Sequence, residues 1–336
     1  MTDMGVQRGD RRARILAIAQ HEWRAASRTK MLGFLIVVLM AASTLSVLVA
    51  AAAHRAEVLD YRNYVDAAVA GGVTRVAPSP LRPLSLLRAP IEYLAVIGSI
   101  IAITFGHLSV ARERTNRTQM LVAMRPVSTG ERLVGTMLGA ASVFTLLTLT
   151  SLITGVVAAG AVGGDWVGLP ELGRVVLTLI ATVIYMLVFY VVGNVATARS
   201  RVAATGLFIA LLIWLVVVLV LPQVGDTLDA DNQVPGGLFS ALGLDRADES
   251  TILARFSGYE TTRIGLEEAS FEKHYERFSF AMADVLLKYR DFTLRQLLVE
   301  KWHDIVWMLT YPVAALSLFW LALRDNRTFT TTQGDS

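Results

Sequence analysis

Six long runs of almost uninterrupted apolar residues, at about 31–53, 93–110, 133–161, 175–196, 202–221 and 305–323, constrain this chain more than any other feature. At about 1.5 Å per residue, even the shortest nearly matches the roughly 30 Å hydrocarbon core of a bilayer, and the third is long enough to tilt. Inside hydrocarbon a backbone must satisfy its own hydrogen bonds, which an unbroken helix does. The expected fold is therefore an all-α integral membrane protein with six transmembrane helices. Composition agrees, since 54% of the 336 residues are hydrophobic and only 18% are charged, against about 25% charged in soluble domains. There is no cysteine, so disulfides and thiolate chemistry are excluded. The first 30 residues do not read as a cleavable signal, because the run that follows is longer than a signal-peptide core.

An even number of spans puts both ends on one side of the membrane. Lys and Arg are retained preferentially in the cytoplasm. Segments 1–30, 111–132, 197–201 and 324–336 sum to +9, whereas 54–92, 162–174 and 222–304 sum to −6. Both termini and the loop 111–132 are accordingly expected in the cytoplasm. Arg55, Arg62, Arg75, Arg82 and Arg88, in the first outer loop, run against the rule. The chain divides into a cytoplasmic N-terminus (1–30), five spans (31–221), an extracytoplasmic segment (222–304), a sixth span (305–323) and a cytoplasmic tail (324–336).

Before the first span, DRRARILAIAQHEWRAASRTK interleaves basic residues with Ile15, Leu16, Ile18, Ala19 and Trp23. This pattern suits an amphipathic helix lying in the interface, its cations toward anionic lipid. Trp302, Trp307, Tyr311 and Trp320 suit interfacial anchoring of the sixth span, and Pro312 marks the place for a local kink.

The segment 222–304 opens on breaker-rich PQVGDTLDADNQVPGG and then becomes helical. Phe271, Tyr275, Phe278, Met282, Val285, Tyr289 and Phe292 recur at steps of four and three, a heptad stripe sustained for about three repeats. The stripe suits contact with a second subunit, an extracytoplasmic partner or a cargo. The favoured reading is packing on the preceding stretch around Ile252, Leu253, Phe256, Ile264 and Leu266, since amphipathic helices most often bury their stripe in their own domain. His274 and His303 lie here, but neither has a histidine or carboxylate at a convincing i, i+4 spacing, so no metal site is expected.

No phosphate loop, His-Glu-x-x-His or Gly-x-Ser-x-Gly motif occurs, so the chain is not expected to be an enzyme. The spans hold almost no ionisable groups, which weighs against an ion-coupled carrier. In span three Ser142, Thr145, Thr148 and Ser151, with Asn194 in span four, are candidates for a polar path. The competing reading is back-bonding and helix packing, and a period of three spreads the four hydroxyls over half the helix circumference. Gly135 and Gly139 form a small-x-x-x-small pair suited to close packing.

Residues 111–140 carry Arg112-Glu113-Arg114, Thr118, Met120-Leu121, Arg125-Pro126-Val127-Ser128, Glu131 and Leu133-Val134-Gly135. This succession, with the six-span layout and the leading amphipathic helix, resembles the membrane subunit of type 2 ABC exporters. Arg117 stands where that family usually has glycine and Thr136 where it usually has lysine. Within the family the chain looks most like the branch that includes permeases of multicopper-enzyme maturation. The resemblance implies a permease of a prokaryotic cytoplasmic membrane that pairs with a second permease copy or homologue and with two separate ATPases. ATP and Mg²⁺ would bind those ATPases, this chain would hold no cofactor, and no nucleic acid is involved. The loop 111–132 would be the coupling helix, with Arg112, Glu113, Arg114, Thr118, Leu121, Met124, Arg125 and Pro126 as its docking residues. The residues themselves fit that role. Leu121 and Met124 offer an apolar patch, the arginines suit carboxylates on a partner, and Pro126 ends the short helix. The rival functions are an ion-coupled secondary carrier and a non-transporting anchor or assembly factor whose outer segment recruits a partner.

Overall fold

Each of the six apolar runs lies inside one long helix in a computed structural model of the chain, which describes residues 3–73, 82–115, 127–228, 238–244, 246–255, 257–289 and 291–332. Spans one to six are Lys30–Ala70, Pro83–Arg114, Thr129–Ala161, Leu169–Arg199, Ala203–Leu228 and Trp302–Arg324. A leading helix, Asp3–Ser27, precedes them, and no strand occurs among the described residues. Apolar side chains such as Phe34, Val37, Leu45 and Phe208 are more than half exposed on the bundle's flanks, the surface a bilayer covers. The protein is an integral, multi-pass membrane protein.

Span one outruns its apolar stretch. At 41 residues it is about 60 Å long, twice the hydrocarbon core. The polar sequence after Ala53 contains no Gly or Pro to stop it until Gly71-Gly72, where Gly72 turns left-handed at φ 84°. Span two likewise begins earlier than hydropathy alone marks, at Pro83.

Spans two and four form the centre. They cross where Gly106 faces Gly193, so closely that a Cβ on either would collide with the facing backbone, at Tyr190 and Ile103 respectively. Around the crossing the rings of Phe105, Phe144 and Tyr190 meet edge to face, with centroids 5.2 Å apart for Phe105–Tyr190 and 6.0 Å for Phe105–Phe144. One turn of span two, Leu94–Gly98, widens to π-helical geometry. The widening leaves the Ala95 carbonyl to accept a hydrogen bond from Tyr185 Oη at 3.1 Å. Just beyond it, buried Ser99 accepts from Trp214 Nε1 at 2.7 Å, tying span five to span two.

The leading helix, the C-terminal ends of spans two, four and six and the start of span three converge on one side of the bundle, the near side. On the opposite, far side the Phe271–Met282 helix seats itself between the spans. Tyr275 stacks on Tyr185 of span four at 4.4 Å between centroids, and its hydroxyl lies 2.9 Å from Thr182 Oγ1. Phe271 meets Tyr311 of span six at 4.7 Å, and Ser270 Oγ donates to the Val217 carbonyl of span five. The first part of the apolar stripe is thus packed within its own chain. Its principal partners are spans four and six rather than the preceding stretch, where Ile264 remains 45% exposed. Phe256 lies outside the described residues.

The stripe is also not one continuous helix. Phe271, Tyr275, Phe278 and Met282 lie on a helix that ends at Met282. Asp284 then adopts a left-handed φ of 52° while its carboxylate accepts from Arg174 Nη1 at 2.5 Å. Arg174 Nη2 also donates to the Phe292 carbonyl at 2.6 Å. A buried arginine of span four therefore folds the chain back, and this tertiary pairing overrides the heptad pattern. Val285 and Phe292 end partly buried, and Tyr289 is buried beneath the Lys301 ammonium, 5.2 Å from its ring centroid. On the same helix, burial pushes the Glu272 carboxyl up to about 8, with neighbouring Glu276 adding to the rise.

Adding one methyl group at the central crossing tests its importance. Gly193→Ala is expected to destabilise the protein by about 3 kcal/mol or more, read as a lowered thermal midpoint in detergent. Gly33→Ala, which meets nothing within 4 Å, is expected to leave the midpoint unchanged or slightly raised.

Candidate functional site

The near-side loop between spans two and three is held at both of its roots. At the end of span two, Arg114 Nη1 donates to the Ser200 carbonyl at 2.8 Å and Nη2 to the Ala198 carbonyl at 2.7 Å. The last carbonyls of a helix lack intrahelical partners and carry the negative end of its dipole, so a guanidinium there caps span four in both respects. Glu113 accepts from Arg132 Nη2 at 2.6 Å, linking the end of span two to the first turn of span three. Arg112 Nε returns to the Leu108 carbonyl at 2.9 Å.

The other root is a capping box. Ser128 Oγ accepts from the Glu131 backbone N–H at 3.1 Å, and Glu131 Oε2 accepts from the Ser128 N–H at 2.8 Å. The second Glu131 oxygen accepts from Arg14 Nη2 of the leading helix at 2.8 Å, with Arg11 3.9 Å away. One buried carboxylate therefore ends a loop, starts a span and ties down the leading helix. Gly135 and Gly139 let that helix lie flat on span three. A Cβ on Gly135 would meet Ile18 Cβ at 2.7 Å, and one on Gly139 would meet Glu22 Cβ at 2.6 Å.

Between these roots lies a small cleft lined by Glu22, Ser109, Glu113, Arg132, Asn194 and Phe319, among others. Glu22 accepts from Ser109 Oγ at 3.1 Å, and Arg112 Nη2 lies 3.9 Å from its other oxygen. Burial raises the Glu22 carboxyl above its ordinary range, against the opposing pull of Arg112 and the Ser109 hydroxyl.

Of the residues expected to dock a partner, Arg112, Glu113 and Arg114 are brought together at one root of the loop, each engaged within the chain. Thr118, Leu121, Met124, Arg125 and Pro126 lie outside the described residues. The candidate path residues do not share a face. Ser142 is exposed and its hydroxyl bonds back to the Gly139 carbonyl at 2.7 Å. Thr145 is half-buried, while buried Thr148 approaches Met186 Sδ at 4.0 Å. Ser151 lies 3.0 Å from Ser43 of span one, and Asn194 lines the near-side cleft. Thr148 and Ser151 thus face neighbouring spans, and Ser142 bonds within its own helix. Sequence reasoning missed Arg14, Glu22 and the capping box. Only the last had a local signal, the Ser128-Thr-Gly-Glu131 spacing that opens an apolar run.

A bundle of six helices long and apolar enough to cross a membrane, with charged, clamped ends on the near side, defines a polytopic membrane protein. Residues 16–324 match the family model described as ABC-2 family transporter protein. The chain belongs to the ABC-2 transporter family, as a permease. A search of curated proteins finds no match.

Because Gly139 sets how closely the leading helix lies, Gly139→Leu is expected to cost about 1–3 kcal/mol locally. Hydrogen exchange should rise across residues 11–26. Gly130→Ala, with nothing within 4 Å of its Cβ, is the control expected to leave exchange there unchanged.

Proposed function

We propose that this chain forms the substrate pathway of an ATP-driven exporter, with ATP and Mg²⁺ bound by a separate ATPase subunit. Two permease copies, or this chain with a homologue, pair with two ATPases. The near side faces the cytoplasm of a prokaryotic cell, as the +9 against −6 charge balance supports. Residues 111–132 act as the coupling element, with Leu121, Met124 and Arg125 presented to the ATPase.

The observation that carries this reading is the clamping of both loop roots to other helices. Arg114 holds span four, Arg132 joins Glu113 across the loop, and Glu131 holds the leading helix through Arg14. A push on the loop is therefore delivered to spans two, three and four and to the leading helix together. A free loop would absorb the same push. Arg112 and Arg114, committed within the chain, act as anchors that aim the loop, and the direct contact falls to the residues beyond them. Nucleotide-dependent closure of the ATPase pair supplies the difference in affinity that a conformational change requires.

Co-purification with a candidate ABC ATPase from the same genome, followed by ATP turnover in lipid, tests the reading. Leu121→Asp and Arg125→Ala are each expected to weaken assembly by about 2 kcal/mol, roughly thirtyfold. Unchanged assembly and unchanged lipid-stimulated turnover in both variants would overturn the docking assignment. In vesicles, transport driven by an imposed ion gradient without ATP would instead identify a secondary carrier, and no transport under either condition an anchor.

A further inference from the structure

The far side holds a side-chain cluster that the transport reading does not use. His274, on the Phe271–Met282 helix, is fully buried and stacks on Trp307 of span six, with ring centroids 5.6 Å apart and planes 16° apart. Its Nε2 lies 3.0 Å from the Glu268 backbone carbonyl. A carbonyl only accepts, so Nε2 carries the hydrogen. Its Nδ1 lies 2.9 Å from Asp304 Oδ1, another acceptor, because the second Asp304 oxygen is paired with Lys301 Nζ at 3.3 Å. An imidazole lone pair and a carboxylate lone pair do not face each other at that distance without a cation between or beside them.

His303, next to Asp304 in the chain, brings a second imidazole to the same place. One ligand atom from each of His274, His303 and Asp304 can be chosen so that all lie within 4.8 Å of one another. The Glu268 carboxylate stands 4.0 Å from His303 Nε2. We propose that these residues form a binding site for a divalent transition-metal ion of the zinc class. His274 Nδ1, Asp304 Oδ1 and His303 are its protein ligands, and Glu268 or water takes the fourth position.

Two imidazoles and one carboxylate oxygen select zinc-like ions over Mg²⁺ or Ca²⁺, which prefer all-oxygen shells. Tetrahedral zinc with bonds of about 2.0–2.2 Å brings ligand atoms to about 3.4 Å of one another. Closing from the observed spread falls to His303, whose side chain is 46% exposed. The two fixed ligands need no rearrangement beyond a few tenths of an ångström. The His274 Nε2–H bond to a backbone carbonyl is the outer-shell contact that orients a metal-ligating histidine. Lys301 occupies only the Asp304 oxygen turned away from His274, so that carboxylate binds through one oxygen. A bound ion would fasten the Phe271–Met282 helix to the far end of span six.

The test uses tag-free, full-length protein in detergent, stripped with a chelator. Zn²⁺ is titrated calorimetrically, and Co²⁺ serves as a spectroscopic probe for four-coordinate geometry. One ion per chain, the visible absorption of four-coordinate Co²⁺ and a Zn²⁺-dependent rise in thermal midpoint are expected. His303→Ala, at an exposed position where folding is not at stake, should weaken binding by about tenfold or more, the scale seen when even an outer-shell partner is lost. Asp304→Asn should abolish the Co²⁺ spectrum. Absence of binding in the unaltered protein would assign the cation between His274 and Asp304 to a proton and overturn the proposal. So would undiminished binding in His303→Ala. Neither result depends on whether an ATPase docks on the near side.

Discussion

Spans two and four touch backbone to backbone at Gly106 and Gly193, and the other elements are arranged around that contact. In a bilayer the hydrophobic effect does not drive helices together, so close approach, dispersion and interhelical hydrogen bonds must do so. The crossing supplies the first two, and the Phe105, Phe144 and Tyr190 rings extend it to span three. Tyr185 and Trp214 add hydrogen bonds at the widened turn of span two. From this centre span four is engaged by an arginine at each end. Arg174 folds the far segment back, while the last carbonyls of the same helix are capped by Arg114 from span two.

The two faces are built by different chemistry. The near side is a set of charge-assisted bonds at helix ends, those of Arg14 and Arg114 reaching partners far away in the chain, which suits transmitting a displacement. The far side is an aromatic stack, Phe271 and Tyr275 on Tyr185 and Tyr311, sealed above by paired charges and the histidine cluster. Glu272 lies half-buried beside it, its carboxyl pushed up to about 8 by desolvation and by neighbouring Glu276.

Much of this was legible in the sequence because hydropathy and charge are local properties. All six spans, the leading helix and the loop between spans two and three follow from runs of residues. Element ends were less legible: span one continues well beyond its apolar stretch, since polar helix formers do not stop a helix as Gly71-Gly72 does. The heptad stripe from Phe271 to Phe292 failed beyond Met282 because Arg174, more than a hundred residues earlier, holds both Asp284 and Phe292. No window of sequence contains that contact. For the same reason a search for histidines one turn apart passed over His274 and His303, which meet only because two helices pack. Gly135 and Gly139 were legible as a close-packing pair, but not that their partner is the leading helix.

The clamped roots of the near-side loop are what the proposed coupling to transport rests on. The chain has no cysteine, so Leu121→Cys places a single thiol at the proposed contact, and Leu59→Cys places one on the far-side tail of span one. Cross-linking each to an ATPase partner carrying one groove cysteine reads the contact directly. A rapid disulfide from position 121 whose yield changes with nucleotide, and none from position 59, is the predicted result. An assembled, ATP-hydrolysing complex that gives no cross-link from position 121 would contradict it.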